Sequence, residues 1–555
     1  MKIRSKIVSR YRVPVNTEKF IKPTKLVNNP LIWSLLVLLY PLLNEVVFSD
    51  FVREGEYNSR IGWSFITALF IMLGNRRWIT AIVLLPFLLG GTCDIGYAYS
   101  FGGVFTTATM EAVAYSDQYE MIEYIQTYSS WQLNLILLGF FTIYCSAIYF
   151  CKSPSSEKSR KFIIVMGCIL IAVVTYRTTI MTRFHDTIPG ILGTIPSYHL
   201  GSISLNKEVE LRKKMLSSTN LGAINERKDT PQTHVFIIGE SATRNHMGIY
   251  GYKRNTTPNL SKINNELVIL DNVISSHVQT QASLRSALTS ADSSNDSNYR
   301  EAPSIIDEAN ASGYKTFWIS NQQPQRATIA SISYQANVKY YLSNDFKGVE
   351  VYRFDEYMLD TINDAINDPA PFKAIFIHMM GSHAAYENRY PEKFSQFNDT
   401  DVNGYTDALS TSEISAINAY DNSILYSDYF VNAVINSLKT DKNGLRTLTF
   451  FSDHGEEVFQ NDDIKGHTPD NLTRNMMEIP FILWSSDKST DNVKGLTSNK
   501  HKPFMLDSLF HYALDTMNIG ANALDKTKSI SSKEYVQPQQ RKIYGKSYEK
   551  TFQSK

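Results

Sequence analysis

Ser452-Asp453-His454-Gly455-Glu456-Glu457 places a carboxylate and an imidazole side by side, directly after the apolar run Thr447-Leu448-Thr449-Phe450-Phe451. That run reads as a buried strand, so Asp453 and His454 fall where the strand ends. In open α/β sheets, ligands bind in the crevice beyond the carboxyl ends of the strands. An acid and a histidine there suit a divalent cation, and zinc takes that mixture readily. A single Asp-His pair is more often a surface turn. Here a second apolar run, His234-Val235-Phe236-Ile237-Ile238-Gly239, ends in the same way on Glu240-Ser241. Two strand ends delivering Glu240, Asp453 and His454 to one crevice predict a metal site.

A metal needs a reacting group. Ser275-Ser276-His277-Val278-Gln279-Thr280 leads into Gln281-Ala282-Ser283-Leu284-Arg285-Ser286-Ala287-Leu288, which has helical periodicity. Thr280 then sits near a helix N-terminus, where free N–H groups and the helix dipole favour anions such as phosphate. A metal on its Oγ would lower the hydroxyl pKa and make it a nucleophile. Ser or Thr before a helix is usually an N-cap, and local sequence alone favours that reading.

The elements that must position these residues follow from the composition. At 555 residues and net charge +1, the chain exceeds one ordinary domain and has no global bias toward nucleic acid. Five apolar stretches precede residue 180: Pro30–Phe48, 61–74, 78–98, Trp131–Phe150 and 162–176. A helical span takes about 20 apolar residues, range about 17–25. The first, third and fourth meet that length; the other two are short. Basic residues cluster in 1–25, at Asn75-Arg76-Arg77 and over 152–161, whereas Glu111, Asp117, Glu120 and Glu123 lie in one loop. With five spans the positive-inside rule puts all three basic segments in the cytoplasm and everything after Tyr176 across the membrane. The N-terminus lacks a short apolar core and a cleavage site, so the first span reads as an uncleaved anchor. All four cysteines (Cys93, Cys145, Cys151, Cys168) lie in the membrane half, which excludes disulfides and thiolate ligands from the exported part.

The expected organisation is a transmembrane domain over 1–180, a connector with a bridging helix over 181–232, and a catalytic domain over 233–555 with an irregular tail. In the connector, Glu208, Glu210, Lys213 and Lys214 fit an amphipathic helix whose favoured reading is a solvated linker. Beyond it, strand-like runs (234–239, 315–320, 373–378, 447–452, 479–484) alternate with helical ones. This predicts an α/β/α sandwich on a mostly parallel sheet.

A set of motifs carries a resemblance. Ile238-Gly239-Glu240-Ser241 is followed by Gly251-Tyr252-Lys253-Arg254-Asn255-Thr256-Thr257-Pro258. Then come Gly381-Ser382-His383 with Arg389-Tyr390-Pro391, Ala419-Tyr420-Asp421-Asn422-Ser423, and Ser452-Asp453-His454-Gly455-Glu456. In this order, the whole chain resembles the phosphoethanolamine transferases of the alkaline phosphatase/sulfatase superfamily. Gly313-Tyr314-Lys315-Thr316-Phe317-Trp318-Ile319-Ser320-Asn321-Gln322-Gln323 and Gly455-Glu456-Glu457-Val458 are most similar to the branch that modifies lipopolysaccharide inner-core heptose.

The resemblance implies a five-helix membrane bundle in the inner membrane and a periplasmic sulfatase-like domain. Zn2+ would be held by Glu240, Thr280, Asp453 and His454, with Thr280 as nucleophile. His383 and His467 (in Lys465-Gly466-His467-Thr468) match the family's phosphate-contacting histidines, each of which alone reads as a polar-loop residue. Glu120 matches an acid that meets the lipid headgroup amine, Arg326 stands in for an unmatched phosphate-binding lysine, and Glu111 reads as a solvated loop residue. The donor is phosphatidylethanolamine; the acceptor is lipopolysaccharide or another envelope glycan; no nucleic acid is implied. Lipid A-modifying members carry cysteines flanking the nucleophile, and here His277 and Ser286 lie near those positions. The alternatives are a lipid A or periplasmic glucan phosphoethanolamine transferase, or a phosphoglycerol transferase of the lipoteichoic acid synthase type. A sulfatase is disfavoured, because no Cys-x-Pro-x-Arg site exists to mature.

Overall fold

The computed structural model describes residues 27–49, 52–53, 55–116, 118–151, 157–201, 205–292, 299–322, 328–342, 354–400, 402 and 409–552. The basic residues of 1–25 and Arg326 lie outside them. The chain divides into two compact units, one from the residues up to Met110 with Ser130–Leu200, the other from Glu111–Ser129 with the chain from Gly201 onward.

In the first unit α1 (Pro30–Phe48) starts with proline at its first turn, capped by Asn29, whose side chain accepts from Leu31 N at 3.0 Å. It is followed by α2 (Glu56–Gly74) and α3 (Arg77–Phe101). In sequence α4 (Thr107–Tyr115) and α5 (Gln118–Tyr128) come next, but from Glu111 to Ser129 the chain belongs to the second unit; the first resumes with α6 (Trp131–Phe150), α7 (Glu157–Thr179) and α8 (Gly190–Gly201). Four of these, α1, α3, α6 and α7, are long and apolar enough to cross a membrane.

The helix containing 61–74 is not among the four. It begins at Glu56 and carries charge into the bundle. Arg60 donates to Glu45 and Glu56 at 2.7 Å each and to Asp94 at 3.1 Å. Glu56 also accepts from Gly190 N at 2.9 Å, and Asp94 from Ile191 N at 2.9 Å. Buried charges persist where partners and hydrogen bonds surround them. This cluster ties α1, α2 and α3 to the start of α8.

The second unit is built on a seven-stranded sheet. Its strands are β1 (Gln232–Gly239), β2 (Leu267–Ile269), β3 (Lys315–Ser320), β4 (Val338–Tyr341), β5 (Phe372–His378), β6 (Leu445–Ser452) and, after the short pair β7 (Glu457–Val458) and β8 (Lys465–Gly466), β9 (Phe481–Ser485). Their spatial order is β2-β9-β6-β1-β5-β3-β4. The pairings β6-β1, β1-β5, β5-β3 and β3-β4 are parallel. The two at the other edge, β6-β9 and β9-β2, are antiparallel, so the sheet is mixed, with a parallel centre.

Alternate residues of the central strands enter different cores. Phe236, Ile238, Trp318, Phe376 and Phe451 face one; Val235, Ile237, Ile319, Ile377 and Phe450 face the other. Both faces are covered, which is why these strands read as continuous apolar runs. One face packs against α11 (Ile305–Ala311) and α14 (Leu509–Thr516), the other against α12 (Leu359–Ile366) and the long α13 (Thr411–Thr440).

The bridging helix α9 (Leu205–Ser218) is not solvated on all sides. Arg212, 2% exposed, donates to Asp307 at 2.8 Å, and Glu208 accepts from Arg300 at 3.0 Å. Its polar periodicity conceals a buried ion-pair face.

Candidate active site

The parallel centre puts β1, β5 and β6 side by side with their carboxyl ends on one edge, so Glu240 and Asp453-His454 emerge together. Glu240, Asp453 and His454 are fully buried, and one ligand atom of each lies within 4.8 Å of the others. The backbone locks this arrangement. Asp453 Oδ1 accepts from Ser241 N at 3.2 Å and from His454 N at 2.8 Å, leaving Oδ2 without a hydrogen bond. His454 Nδ1 lies 2.9 Å from Gly455 O, which leaves Nε2 facing Glu240 at 3.4 Å. Fixing one ring nitrogen on a carbonyl presents the other as a ligand.

Thr280 is the first residue of α10 (Thr280–Ala287); the N-cap is Gln279, which makes no side-chain cap bond. The Thr280 hydroxyl instead points at the acid cluster, 3.2 and 3.4 Å from the two Glu240 oxygens and 3.4 Å from His454 Nε2. Ser283, one turn on, donates to Asp453 O at 2.6 Å and fixes the helix against the end of β6.

The electrostatics fit a cation. Burial would push Glu240 up, but hydrogen bonding to His454, the charges of His454 and His383, and Gln322 hold it well below its usual range. Burial and the Glu240 charge push Asp453 up to about 8. Burial would lower His454, yet Asp453 and Glu240 drive it up to about 10. Two buried carboxylates, one with an oxygen that makes no hydrogen bond, an imidazole and a hydroxyl make an anionic oxygen–nitrogen donor set, which zinc matches. His454 also belongs to a second group with Glu456 and His467 that could hold a metal ion.

The two loop histidines sit on separate elements. His383 follows the turn after β5, where Gly381 has φ +52° and approaches so closely that a Cβ would lie 2.9 Å from Glu240 N and O. Ser382 N donates to Glu240 O at 3.0 Å. His383 Nδ1 is buried without a hydrogen-bond partner. His467 follows β8; its Nδ1 lies 2.6 Å from Glu456 Oε2, and its ring is 4.1 Å from that of His454. Burial and the neighbouring His454 charge lower His467 despite Glu456. Glu120 falls on α5, and Arg326 lies outside the described residues.

Three supporting residues escape motif reading by role. Gln322 donates to Glu240 Oε2 at 2.9 Å and to Met379 O at 3.0 Å. Glu456 holds His467, and Tyr386 donates to the other Glu456 oxygen at 2.6 Å. Gln322 stands in the 313–323 motif of the sequence, but that motif gives no sign of its contact with Glu240.

A mixed sheet with Glu240, Thr280, Asp453 and His454 gathered at its carboxyl edge is the frame of a sulfatase-type domain, and the sulfatase family model matches residues 232–519. The chain belongs to the sulfatase family, and its relatives there place it in the phosphoethanolamine transferase branch. It is 28% identical to phosphoethanolamine transferase EptC of Escherichia coli K12, over 91% of this chain and 92% of that protein. It also matches the crystal structure of the C-terminal periplasmic domain of E. coli EptC in complex with Zn: 33% identity, TM-score 0.54, 59% of this chain and 93% of that one. The integral membrane lipooligosaccharide phosphoethanolamine transferase A of Neisseria meningitidis shares the fold at TM-score 0.64 and 18% identity, over 91% of this chain and 97% of that one.

Proposed function

We propose that this chain transfers phosphoethanolamine from phosphatidylethanolamine to a cell-envelope glycan, with lipopolysaccharide or lipooligosaccharide inner-core heptose as acceptor. The reading places five spans in the inner membrane and the catalytic domain in the periplasm. The observation that carries it is the Thr280 hydroxyl, at the start of a helix and within 3.4 Å of Glu240 and His454. The named relatives supply the group transferred. The heptose motif and the absence of cysteine after Cys168 favour the core-modifying branch.

Glu240, Thr280, Asp453 and His454 would hold Zn2+. Bound there, the ion supplies positive charge that lowers the threonine pKa and offsets charge on the phosphoryl oxygens. In the first half-reaction Thr280 Oγ attacks phosphorus, the bond to the glyceride oxygen breaks, and diacylglycerol leaves with a proton. Phosphoethanolamine remains on Thr280. In the second, an acceptor hydroxyl attacks the same phosphorus, its proton departs, and the threonine oxygen is released. His467 has Nδ1 engaged by Glu456, so Nε2 is the atom that can give or take a proton. His383 contacts the phosphoryl oxygens with a free Nδ1. Glu120 meets the headgroup amine, and Arg326 the phosphate.

The test is mass spectrometry of the full chain incubated with zinc and phosphatidylethanolamine. An adduct of phosphoethanolamine on Thr280, absent in Thr280→Ala, is expected. An adduct from phosphatidylglycerol instead would replace this reading with phosphoglycerol transfer.

A further inference from the structure

Residues 111–129 lie in sequence between α3 and α6, two helices of the first unit, yet they belong to the catalytic unit. They touch three of its elements. Glu111 pairs with Arg285 at 3.6 Å, on the helix that begins with Thr280. Glu123 accepts from the Arg389 guanidinium and from Asn388 Nδ2, the latter at 2.9 Å. At the end of α5 the Lys465 ammonium lies 5.6 Å from the centre of the Tyr128 ring, two residues before His467. The Tyr128 hydroxyl also donates to Lys465 O at 3.5 Å, on the strand that leads into His467.

The Glu123–Arg389 pair reaches furthest into the chemistry. Arg389 Nε donates to His383 O and Ala384 O at 3.1 Å each, and Nη2 to Ala384 O at 2.7 Å. One planar guanidinium thus spans the carbonyls of the His383 turn and the carboxylate of α5. The Arg389 side chain is 8% exposed and that of Glu123 17%. A guanidinium buried to that degree stays in place only with its counter-ion, and its fork cannot be copied by lysine.

We propose that Glu123 is a positioning residue, which through Arg389 sets the turn carrying His383, and that residues 111–129 form a strap across the three elements bearing Thr280, His383 and His467. The inference rests on the catalytic roles assigned above. The acidic loop is therefore part of the catalytic unit's own structure.

The experiment uses the full chain in vesicles containing phosphatidylethanolamine, with lipopolysaccharide added as acceptor so that the enzyme turns over. Diacylglycerol release gives kcat and KM, and hydrogen exchange follows peptides over 379–390 and 234–239. Glu123→Gln and Arg389→Lys are expected to lower kcat about 10-fold with lipid KM within about twofold, the size a small misplacement of a reacting group produces. Exchange should quicken over 379–390 and not over 234–239, and Glu123→Asp should recover most of both. Unchanged exchange over 379–390 overturns the proposal, as does unchanged kcat. A loss confined to KM also overturns it, because it would make Glu123 a lipid contact. If the wild-type chain releases no diacylglycerol, the assigned reaction fails, while the exchange comparison still decides whether Glu123 holds the turn.

Discussion

Ser276 Oγ and Ser286 Oγ meet at 3.0 Å, four residues before and six after Thr280, and close a ring around it. His277, near a flanking position by sequence, instead turns Nδ1 to Ser276 Oγ at 3.0 Å. The pair occupies the place where a covalent link would hold the same loop, residues 276–286. The Ser276→Cys, Ser286→Cys double variant should therefore form a disulfide when exported. Cross-linking a loop of this length adds about 2–3 kcal/mol by the chain-entropy account. Thermal unfolding of oxidised against reduced protein checks it; equal midpoints with the bond formed would mean native strain cancels the gain.

Gln322→Leu removes the side-chain amide that orients Glu240 while leaving every proposed ligand in place. Loss of a group that orients a metal ligand costs about 10–100-fold in metal affinity or activity. Zinc titration of the purified variant against wild type is the measurement. Equal affinity would assign Gln322 to the packing of Met379 O alone.

Gly381→Ala should damage both stability and the site. A left-handed φ costs a non-glycine residue about 1–3 kcal/mol. The added Cβ also meets Glu240 N and O at 2.9 Å and must displace that strand end. The expected result is a lower unfolding midpoint together with weaker zinc binding, whereas strain alone would lower the midpoint without touching the metal.

How much of this was readable from the sequence depends on what each feature needs. Glu240 and Asp453-His454 announce themselves, because a strand buried on both faces is a continuous apolar run and its end is a sharp change in residue type. The direction of β9 does not, since antiparallel pairing with β6 is set by where the chain returns, not by local pattern. The helix Glu56–Gly74 starts well before its apolar run, because Arg60 is buried by pairing with Glu45 and Asp94, distant in sequence. Glu111 and Glu123 fail as loop residues for the same reason: their partners, Arg285 and Arg389, lie more than 170 residues away. Charge complementarity across the chain leaves no periodic trace.

The last expectation concerns acid. His234 is fully buried in β1, 2.8 Å from Thr447 Oγ1 and 3.1 Å from Gln232 Oε1, and burial lowers it to about 3. Unfolded, a histidine titrates near 6.5. Between those values the unfolded chain binds a proton that the folded chain refuses. The contribution of His234 is present above pH 6.5 and is lost as the pH falls toward 3, at about 1.4 kcal/mol per unit, or about 2 kcal/mol by pH 5. His511, lowered to about 4 chiefly by burial, adds a second loss of the same sign. Glu308, raised by burial to about 8, opposes both, so the net profile of the wild type does not isolate any one group. The difference between wild type and His234→Gln does. Urea midpoints of the catalytic unit in the full chain, followed by pulse proteolysis at pH 7 and pH 5, should show the variant less stable at pH 7 and the gap narrowed by about 2 kcal/mol at pH 5. A gap independent of pH would mean that His234 takes up its proton in the folded state.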